Sequence, residues 1–458
     1  MSAISALAHS LLQHGISKSS TRCSSTALFV PFARVENCKD KDLTSVEAAF
    51  EQDTSPLKLN LCGDHYRSPN GKPYLFQAVR KARVAVICDD TLPHEPLPPL
   101  GNPEFNRIAN ELILNKAASA ITQQRVLGIQ TRSGLDALRL AAHFLRDKMK
   151  CNVCLLARPC SEHFEPIFKR AGFTCHSYQY YSEEKVELNI YGLVADLMTA
   201  PEGAVIVMDA CAQNPTSLSP TIDEWKLIAH IVKCKKMIPV FNLEFHGLAS
   251  GDTSQDTWPV RYFAEFGLDL LCVQSFVQNF GLYDEALGHL MAVVSNATHL
   301  ESVKDQLESS LLEHNAQCSS VFASRVVSKV LTNSTLRQDW ALTLKDIHQN
   351  MRQMRLALSN KLEILRTPGN WAQMKDQQGP HLYTNLKMPQ LKELRSRHIY
   401  VPNSGSINVG ALRPNNVDYV AGAINDVMIS TVKADAAAVK TKETNLSAMQ
   451  CLQHLNAP

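Results

Sequence analysis

Short apolar runs separated by amphipathic stretches are the feature that most restricts how this chain can fold. Four runs are rich in strand-forming residues and apolar on both faces: Val153–Leu156, Ala204–Met208, Met237–Phe241 and Leu270–Val273. Strands that are buried on both faces and separated by helices are typical of a mainly parallel sheet covered by helices. The pattern therefore predicts an α/β fold.

Helical spacing marks the stretches between the runs. A further apolar run, Val126–Gln130, precedes a turn, after which apolar residues recur at helical spacing: Ala137, Leu138, Ala141, Phe144 and Leu145. Residues from about Asp339 to Arg366 mix polar and apolar positions over a long stretch. This stretch predicts one long helix that leads into a second lobe.

Size and composition exclude several classes of protein. A chain of 458 residues is long enough for more than one domain. A net charge of +2 gives no reason to expect nucleic acid as a partner. No stretch approaches the roughly 18 apolar residues of a membrane-spanning helix, so we expect no membrane insertion.

The 13 cysteines are scattered and odd in number, which indicates reduced thiols rather than a disulfide framework. Cys151 and Cys154 form a CxxC pair, but a zinc site needs a second ligand pair at a suitable distance. We therefore predict no metal site.

The two ends of the chain differ from its middle. Residues 1–34 contain no Asp or Glu, eight serines, and the basic residues Lys18, Arg22 and Arg34. This composition predicts an N-terminal extension that is either a mitochondrial transit peptide or a disordered segment. Residues 433–458 have no clear turn signals and are predicted to form a C-terminal tail.

Seven segments occur in an order that matches one family. They are NGKPY at 70–74, SGLDALRL at 133–140, DACAQNPTS at 209–217, HGLASGD at 246–252, VQSFVQNFGLYDEALGH at 273–289, TPGNW at 367–371 and SGSINVGAL at 404–412. Over roughly residues 40–432 the chain resembles the aspartate aminotransferases. These pyridoxal-phosphate enzymes exchange amino groups between aspartate and 2-oxoglutarate.

The resemblance implies the pyridoxal-phosphate transferase fold. It has a large domain with a mainly parallel seven-stranded sheet between helices, and a smaller α+β domain built from both chain ends. The expected boundaries are 35–75 for the N-terminal arm with part of the small domain, 76–346 for the large domain and 347–432 for the small domain. The family is homodimeric and binds small dicarboxylates. The segment SFVQNFGLY at 275–283 resembles the cytosolic form, so a cytoplasmic location is favoured, with the mitochondrion as the alternative.

Gln278 stands where the family has the lysine that forms a Schiff base with the cofactor. Its flanks, Ser275-Phe276 and Asn279-Phe280-Gly281, match the family and fix the alignment. A carboxamide nitrogen is neither nucleophilic nor basic, so Gln278 can neither form the imine nor carry the substrate proton. The catalytic position is predicted to be non-functional.

Other cofactor positions of the family are altered as well. Ser133, Gly134, Asn214 and Ser275 match the family. Asn242 replaces the aspartate under the pyridine nitrogen, Phe245 replaces a tyrosine, and Ala286 replaces the arginine that holds the phosphate. Asp136 puts a carboxylate in the first turn of the helix whose N-terminus would bind phosphate. The resemblance therefore implies pyridoxal phosphate, and the residues predict that its binding is weak or lost.

The substrate positions of the family follow the same trend. Ser406 and Glu313 replace the two arginines that clamp the substrate carboxylates, the second of them donated across the dimer. Ser161 replaces a tryptophan that stacks on the cofactor, and Asp64 replaces a glycine. Bidentate arginine contacts cannot be reproduced by serine or glutamate, so dicarboxylate binding is disfavoured.

Several functions remain open from the sequence. A catalytically inactive aminotransferase-like protein is favoured. One alternative is a regulatory subunit that forms mixed dimers with an active paralogue, and another is the residual transaminase that the family resemblance implies. In a third, the emptied pocket supports a cofactor-independent reaction, with His246 and His289 as acid–base candidates.

Overall fold

The structure is a computed structural model that describes residues 42–68, 70–314 and 321–433. The described residues from Asp42 onward belong to one compact unit. Our predictions for residues 1–34 and for the tail after residue 433 lie outside the described residues.

A seven-stranded sheet forms the centre of the described chain. Its strands are β2 Val126–Thr131, β3 Val153–Arg158, β4 Thr174–Gln179, β7 Val205–Asp209, β8 Ile238–Leu243, β9 Leu270–Ser275 and β10 Gly288–Val293. They lie in the order β2-β10-β9-β8-β7-β3-β4, and in this sheet only β10 runs antiparallel to its two neighbours. The predicted α/β fold and its five predicted strands are confirmed.

Three two-stranded sheets accompany the large one. Their strands are β1 Leu59–Asn60 with β12 Ile399–Tyr400, β5 Tyr181–Ser182 with β6 Glu187–Leu188, and β11 His381–Tyr383 with β13 Ser406–Asn408. The parallel pairing of β1 with β12 brings together segments from both ends of the described chain. The predicted domain boundaries themselves stay a prediction.

Helices cover the large sheet and form the remaining layers. They are α1 Asp42–Gln52, α2 Gln77–Ile87, α3 Pro103–Leu114, α4 Ser119–Thr122, α5 Gly134–His143, α6 Phe164–Arg170, α7 Ile190–Thr199, α8 Ile222–Cys234, α9 Thr253–Asp256, α10 Trp258–Glu265, α11 Leu300–Glu313, α12 Val321–Thr332, α13 Ser334–Ile364, α14 Met388–Ser396 and α15 over residues 417–433. The chain continues from α5 into a π-helical turn at Phe144–Lys148.

Helix α13 confirms the predicted long helix, although it begins earlier than expected. The side chain of Asn333 accepts a hydrogen bond from the backbone N–H of Leu336 and caps this start. Among the described residues no helix is long and apolar enough to cross a membrane.

Successive side chains of the sheet strands pack into two separate hydrophobic clusters, one on each face of the sheet. Val205 and Val207 pack into the cluster on one face, whereas Ile206 and Met208 pack into the cluster on the other. Successive residues of a strand point to opposite faces, so a fully buried strand must be apolar throughout. This requirement explains the unbroken apolar runs in the sequence.

Candidate functional site

A cleft of about 360 Å³ opens at the carboxyl ends of the parallel strands, where ligands bind in open α/β sheets. Residues at or just after the ends of β2, β3, β7, β8 and β9 line it. The cleft brings together nine of the predicted site residues: Asp64, Ser133, Gly134, Ser161, Asn214, Asn242, Ser275, Gln278 and Ser406.

The N-terminus of α5 faces the cleft and carries its own anion. Ser133 caps the helix by accepting a hydrogen bond from the Asp136 backbone N–H at 3.1 Å, and its hydroxyl donates to Asp136 Oδ2 at 3.0 Å. Arg139 Nη1 lies 2.6 Å from Asp136 Oδ1 and Arg132 Nε lies 3.5 Å from Asp136 Oδ2. The Asp136 carboxylate is therefore already bound by the Ser133 hydroxyl and two guanidinium groups at a helix N-terminus, a position that favours anions.

Gly288 sets how closely β10 approaches this helix start. A Cβ atom added there would lie 2.2 Å from the Ser133 carbonyl oxygen, so only glycine fits. Gly288 also pairs with Ser275 at the end of β9. The close approach holds Ser133 and Ser275 on the same side of the cleft.

The end of β8 contributes an amide in place of an acid. Asn242 Nδ2 donates to Asp209 Oδ1 at 2.6 Å, and both side chains are buried. Burial raises the pKa of Asp209 to about 7, against the lowering effect of hydrogen bonds from Asn242 and from the Asn214 backbone. The Asn242 amide is thus already engaged with the acid behind it.

Glu244 adds a second acid to the same wall. Burial, together with the nearby charges of Asp64 and Asp209, raises the pKa of Glu244 to about 8, while a hydrogen bond from Asn214 opposes the shift. Asn242 and Glu244 both line the cleft, as expected from their spacing along one strand.

Gln278 lies in the middle of the cleft and is paired with an acid. Its Nε2 donates to Asp64 Oδ2 at 2.7 Å, and the residue is only 7% exposed. The other amide atom, Oε1, is buried without a hydrogen-bond partner. Gln278 and Asp64, two of the predicted site residues, are therefore in direct contact, although they lie 214 residues apart in the chain.

Three predicted site residues do not line the cleft. Phe245 is fully buried and packs edge-on against His381, with ring centroids 5.2 Å apart. Ala286 is exposed on the loop before β10. Glu313 is exposed at the end of α11, where it accepts hydrogen bonds from Lys148 Nζ and Ser309 Oγ, both at 2.7 Å. These contacts lower the pKa of Glu313.

His246 and His289 lie outside the cleft and are fully buried. His246 Nδ1 lies 3.2 Å from the Leu243 carbonyl oxygen, and its Nε2 lies 2.8 Å from Asn279 Nδ2. Burial lowers the pKa of His246 to about 4 and that of His289 to about 3. Both histidines are therefore buried away from the cleft, and the structure gives no support to an acid–base role for them there.

The sequence did not identify several residues of the cleft wall. His381 in β11, and Cys160, Glu162 and His163 after β3, all line it. His381 belongs to a three-residue strand with no motif, and only the pairing of this strand with β13, where His381 lies opposite Asn408, brings it to the cleft. The run after β3 could have been noticed, because residues that follow a buried parallel strand face the binding edge.

In the part of the chain that the structure describes, His143, Asp147 and His314 are the group whose ligand atoms could reach a common metal. His143 Nδ1 and His314 Nε2 lie 3.4 and 3.3 Å from Asp147 Oδ2. The two rings are stacked, with centroids 3.6 Å apart and planes at 22°. Nearly parallel rings direct their lone pairs along nearly parallel lines, which do not converge on one ion as coordination requires.

The fold and the cleft define a known class of protein. A family model described as aminotransferase class I and II matches residues 56–424, and the chain belongs to this family. The resemblance to the aspartate aminotransferases is confirmed by curated relatives. The chain is 35% identical over 381 residues to the cytoplasmic aspartate aminotransferase of Caenorhabditis elegans, covering 83% of this chain and 93% of the relative. It is 35% identical over 404 residues to that of Gallus gallus, covering 87% and 98%.

Solved structures give the same result. The aspartate aminotransferase from Saccharomyces cerevisiae cytoplasm matches with a TM-score of 0.82 and 29% identity, over 87% of this chain and 98% of that one. An aromatic-amino-acid aminotransferase from Burkholderia pseudomallei, covalently bound to pyridoxal phosphate, matches with a TM-score of 0.83 and 28% identity, over 87% and 100%. The predicted pyridoxal-phosphate transferase fold is confirmed.

The residues of the cleft do not fit that cofactor. Among the described lining residues none is lysine or arginine, so no imine-forming amine lines the cleft, and the two arginines at the helix start are paired with Asp136. The Asp136 carboxylate accepts a hydrogen bond from Ser133 at the helix start, and the Asn242 amide donates to Asp209.

Proposed function

We propose that this chain is a member of the aminotransferase family without transaminase activity. The observation that carries the proposal is the partly buried hydrogen bond from Gln278 Nε2 to Asp64 Oδ2. Gln278 is the residue that we match to the family lysine, and its hydrogen bond to an acid that we match to a family glycine supports the proposal.

The chemistry of this pair supports the loss of activity. Transamination needs an amine that forms an imine and then moves a proton. An amide nitrogen shares its lone pair with its carbonyl group and does neither. Since no lysine lines the described part of the cleft, no neighbouring side chain takes over either step.

The charge of the cleft supports the same conclusion. Asp64, Glu162 and Glu244 line it, and the family cofactor and its dicarboxylate substrates are both anions. Losing one charge-assisted contact costs about 1.5–3 kcal/mol, so losing the phosphate and carboxylate clamps together removes most of the binding free energy.

An assay of aspartate with 2-oxoglutarate tests the proposal. The purified chain and its Gln278→Lys variant are compared, in added pyridoxal phosphate, with the Gallus gallus cytoplasmic enzyme as the active control. We expect no turnover above the blank from either, because the variant restores the amine but none of the phosphate or carboxylate contacts. Turnover by the wild-type chain would overturn the proposal.

Partners and location remain proposals that rest on the relatives. Assembly as a homodimer is expected from the family, and a cytoplasmic location from relatives that carry that word in their names. In the regulatory-subunit hypothesis a mixed dimer would present Glu313 to the site of an active paralogue, and in this chain Glu313 is paired with Lys148. It stays a prediction without support from this chain's geometry.

A further inference from the structure

The charge of the cleft is uneven in a way that the loss of a cofactor alone does not explain. Three carboxylates, Asp64, Glu162 and Glu244, line it together with the imidazoles of His163 and His381. Among the described residues no lysine or arginine lies within ion-pair distance of Asp64 or Glu244. Asp64 accepts a hydrogen bond from Gln278 and Glu244 accepts one from Asn214, but both partners are neutral, so neither acid has a counter-charge.

The hydrogen bonds of the cleft are incomplete on the same side. Gln278 Oε1 and Ser406 Oγ have no partner, and their residues are 7% and 4% exposed. Buried polar atoms are nearly always hydrogen-bonded, so two unpaired ones that line one cleft indicate a missing ligand. Both oxygens can accept hydrogen bonds, and the carboxylates beside them can only accept when ionised.

We propose that the cleft binds a small organic cation, a primary alkylammonium ion whose N–H groups donate to Asp64, Gln278 Oε1 and Glu244. An ammonium group supplies three hydrogen-bond donors and a positive charge that would balance the charge of the carboxylates. The inference rests on the proposed function, because an aldehyde cofactor in the cleft would fill the same space. The volume of about 360 Å³ is within the range of small-molecule sites.

The state of Glu244 agrees with this assignment. Burial first, and then the nearby charges of Asp64 and Asp209, raise the pKa of Glu244. A cation next to Glu244 would favour its ionised form. The amide of Gln278, in the place of a lysine, leaves the charge of Asp64 available to a ligand.

Calorimetric titration with three molecules of equal carbon-chain length tests the proposal: putrescine, butanediol and succinate, which are cationic, neutral and anionic. We expect saturable binding of putrescine alone. Asp64→Asn keeps an acceptor for Gln278 Nε2 but removes the charge, and it should weaken putrescine binding at least about tenfold, as should Glu244→Gln. The exposed pair Lys236–Glu202 supplies the matched control, Glu202→Gln, which should bind as the wild type does.

Gln278→Lys provides a second test that does not depend on removing an acid. Its ammonium would pair with Asp64 from within the chain, so putrescine binding should be lost while the melting temperature is maintained. Equal putrescine affinity in wild type and Asp64→Asn, preferred binding of succinate, or no putrescine binding to folded wild type would each overturn the inference. None of these results would restore transaminase activity, so the aspartate assay judges the proposed function separately.

Discussion

The charged groups at two ends of the same cleft are satisfied in different ways. At the start of α5, the Asp136 carboxylate accepts a hydrogen bond from Ser133 and is paired with two arginines. Around Gln278, the acids Asp64 and Glu244 have neutral partners, and nearby polar atoms are unpaired. At the first end the carboxylate therefore has cationic partners, whereas at the second end the carboxylates could still accept a cationic ligand.

The acid at position 136 and the amide at position 278 should therefore affect stability differently. A substitution that supplies its own counter-charge and hydrogen bonds stabilises the free chain. A substitution that leaves buried acids and unpaired oxygens costs stability until something binds. Removing a polar group should therefore lower the unfolding free energy at the start of α5, but not around Gln278.

The largest effect is expected from Gln278→Glu, which inserts a third acid beside Asp64 and Glu244. Like charges in a buried site cannot all ionise, so unfolding free energy should fall by roughly 3 kcal/mol at about pH 8, and by much less at about pH 5, where the carboxyl groups share a proton. Denaturant unfolding measures the change. The exposed Gln255→Glu is the control and should shift stability by less than about 0.5 kcal/mol. Equal stability of both variants would show that the acids are not crowded.

A smaller, pH-dependent effect on stability is expected at Asp209, which accepts a hydrogen bond from the cleft residue Asn242. Its folded pKa of about 7 lies above the ordinary value of 3.8, so the folded chain holds a proton that the unfolded chain has released between those values. Raising the pH through this window therefore favours unfolding, by up to about 1.4 kcal/mol per pH unit. Asp209→Asn does not titrate, and its stability relative to wild type should rise by about 2 kcal/mol from about pH 5 to pH 8.

The measurement is a series of denaturant unfolding curves at several pH values for both proteins. Contributions of the buried histidines cancel in the difference, because both proteins contain them. Asp223→Asn, at the exposed start of α8, should give a difference that does not vary with pH. A flat difference for Asp209→Asn as well would contradict the raised pKa.

The smallest effects separate two serines of the cleft. Ser133→Ala removes a satisfied helix cap and should cost about 1 kcal/mol. Ser406→Ala removes a buried hydroxyl without a partner and should leave stability within about 0.5 kcal/mol of wild type, or raise it. Thermal unfolding of the two variants in parallel compares them. A larger loss at Ser406 than at Ser133 would reverse the comparison between the two ends.

Much of the fold was predictable because local patterns determine it. Doubly buried runs such as Ala204–Met208 can only be central strands of a covered sheet, and they are. The rule that parallel strands end at one binding edge, together with the family motifs, places Ser133, Asn242 and Gln278 in one cleft.

Side-chain pairing was not predictable in the same way. Gln278 and Asp64 were each identified as altered, but their contact depends on a tertiary approach across 214 residues. The acid in the first turn of α5 was expected to satisfy the helix dipole, yet the involvement of Arg139 depends on rotamers that spacing alone does not determine. His381 enters the cleft only through the pairing of β11 with β13.

The most direct test of the central claim is a trapping experiment on Gln278→Lys. The variant is incubated with limiting pyridoxal phosphate, reduced with borohydride and digested, and the labelled lysines are mapped by mass spectrometry. If the phosphate and nitrogen positions are lost as described, position 278 should be labelled no more than exposed lysines such as Lys236. Preferential labelling at position 278 would show that an intact cofactor site lacked only its lysine, and would contradict the account.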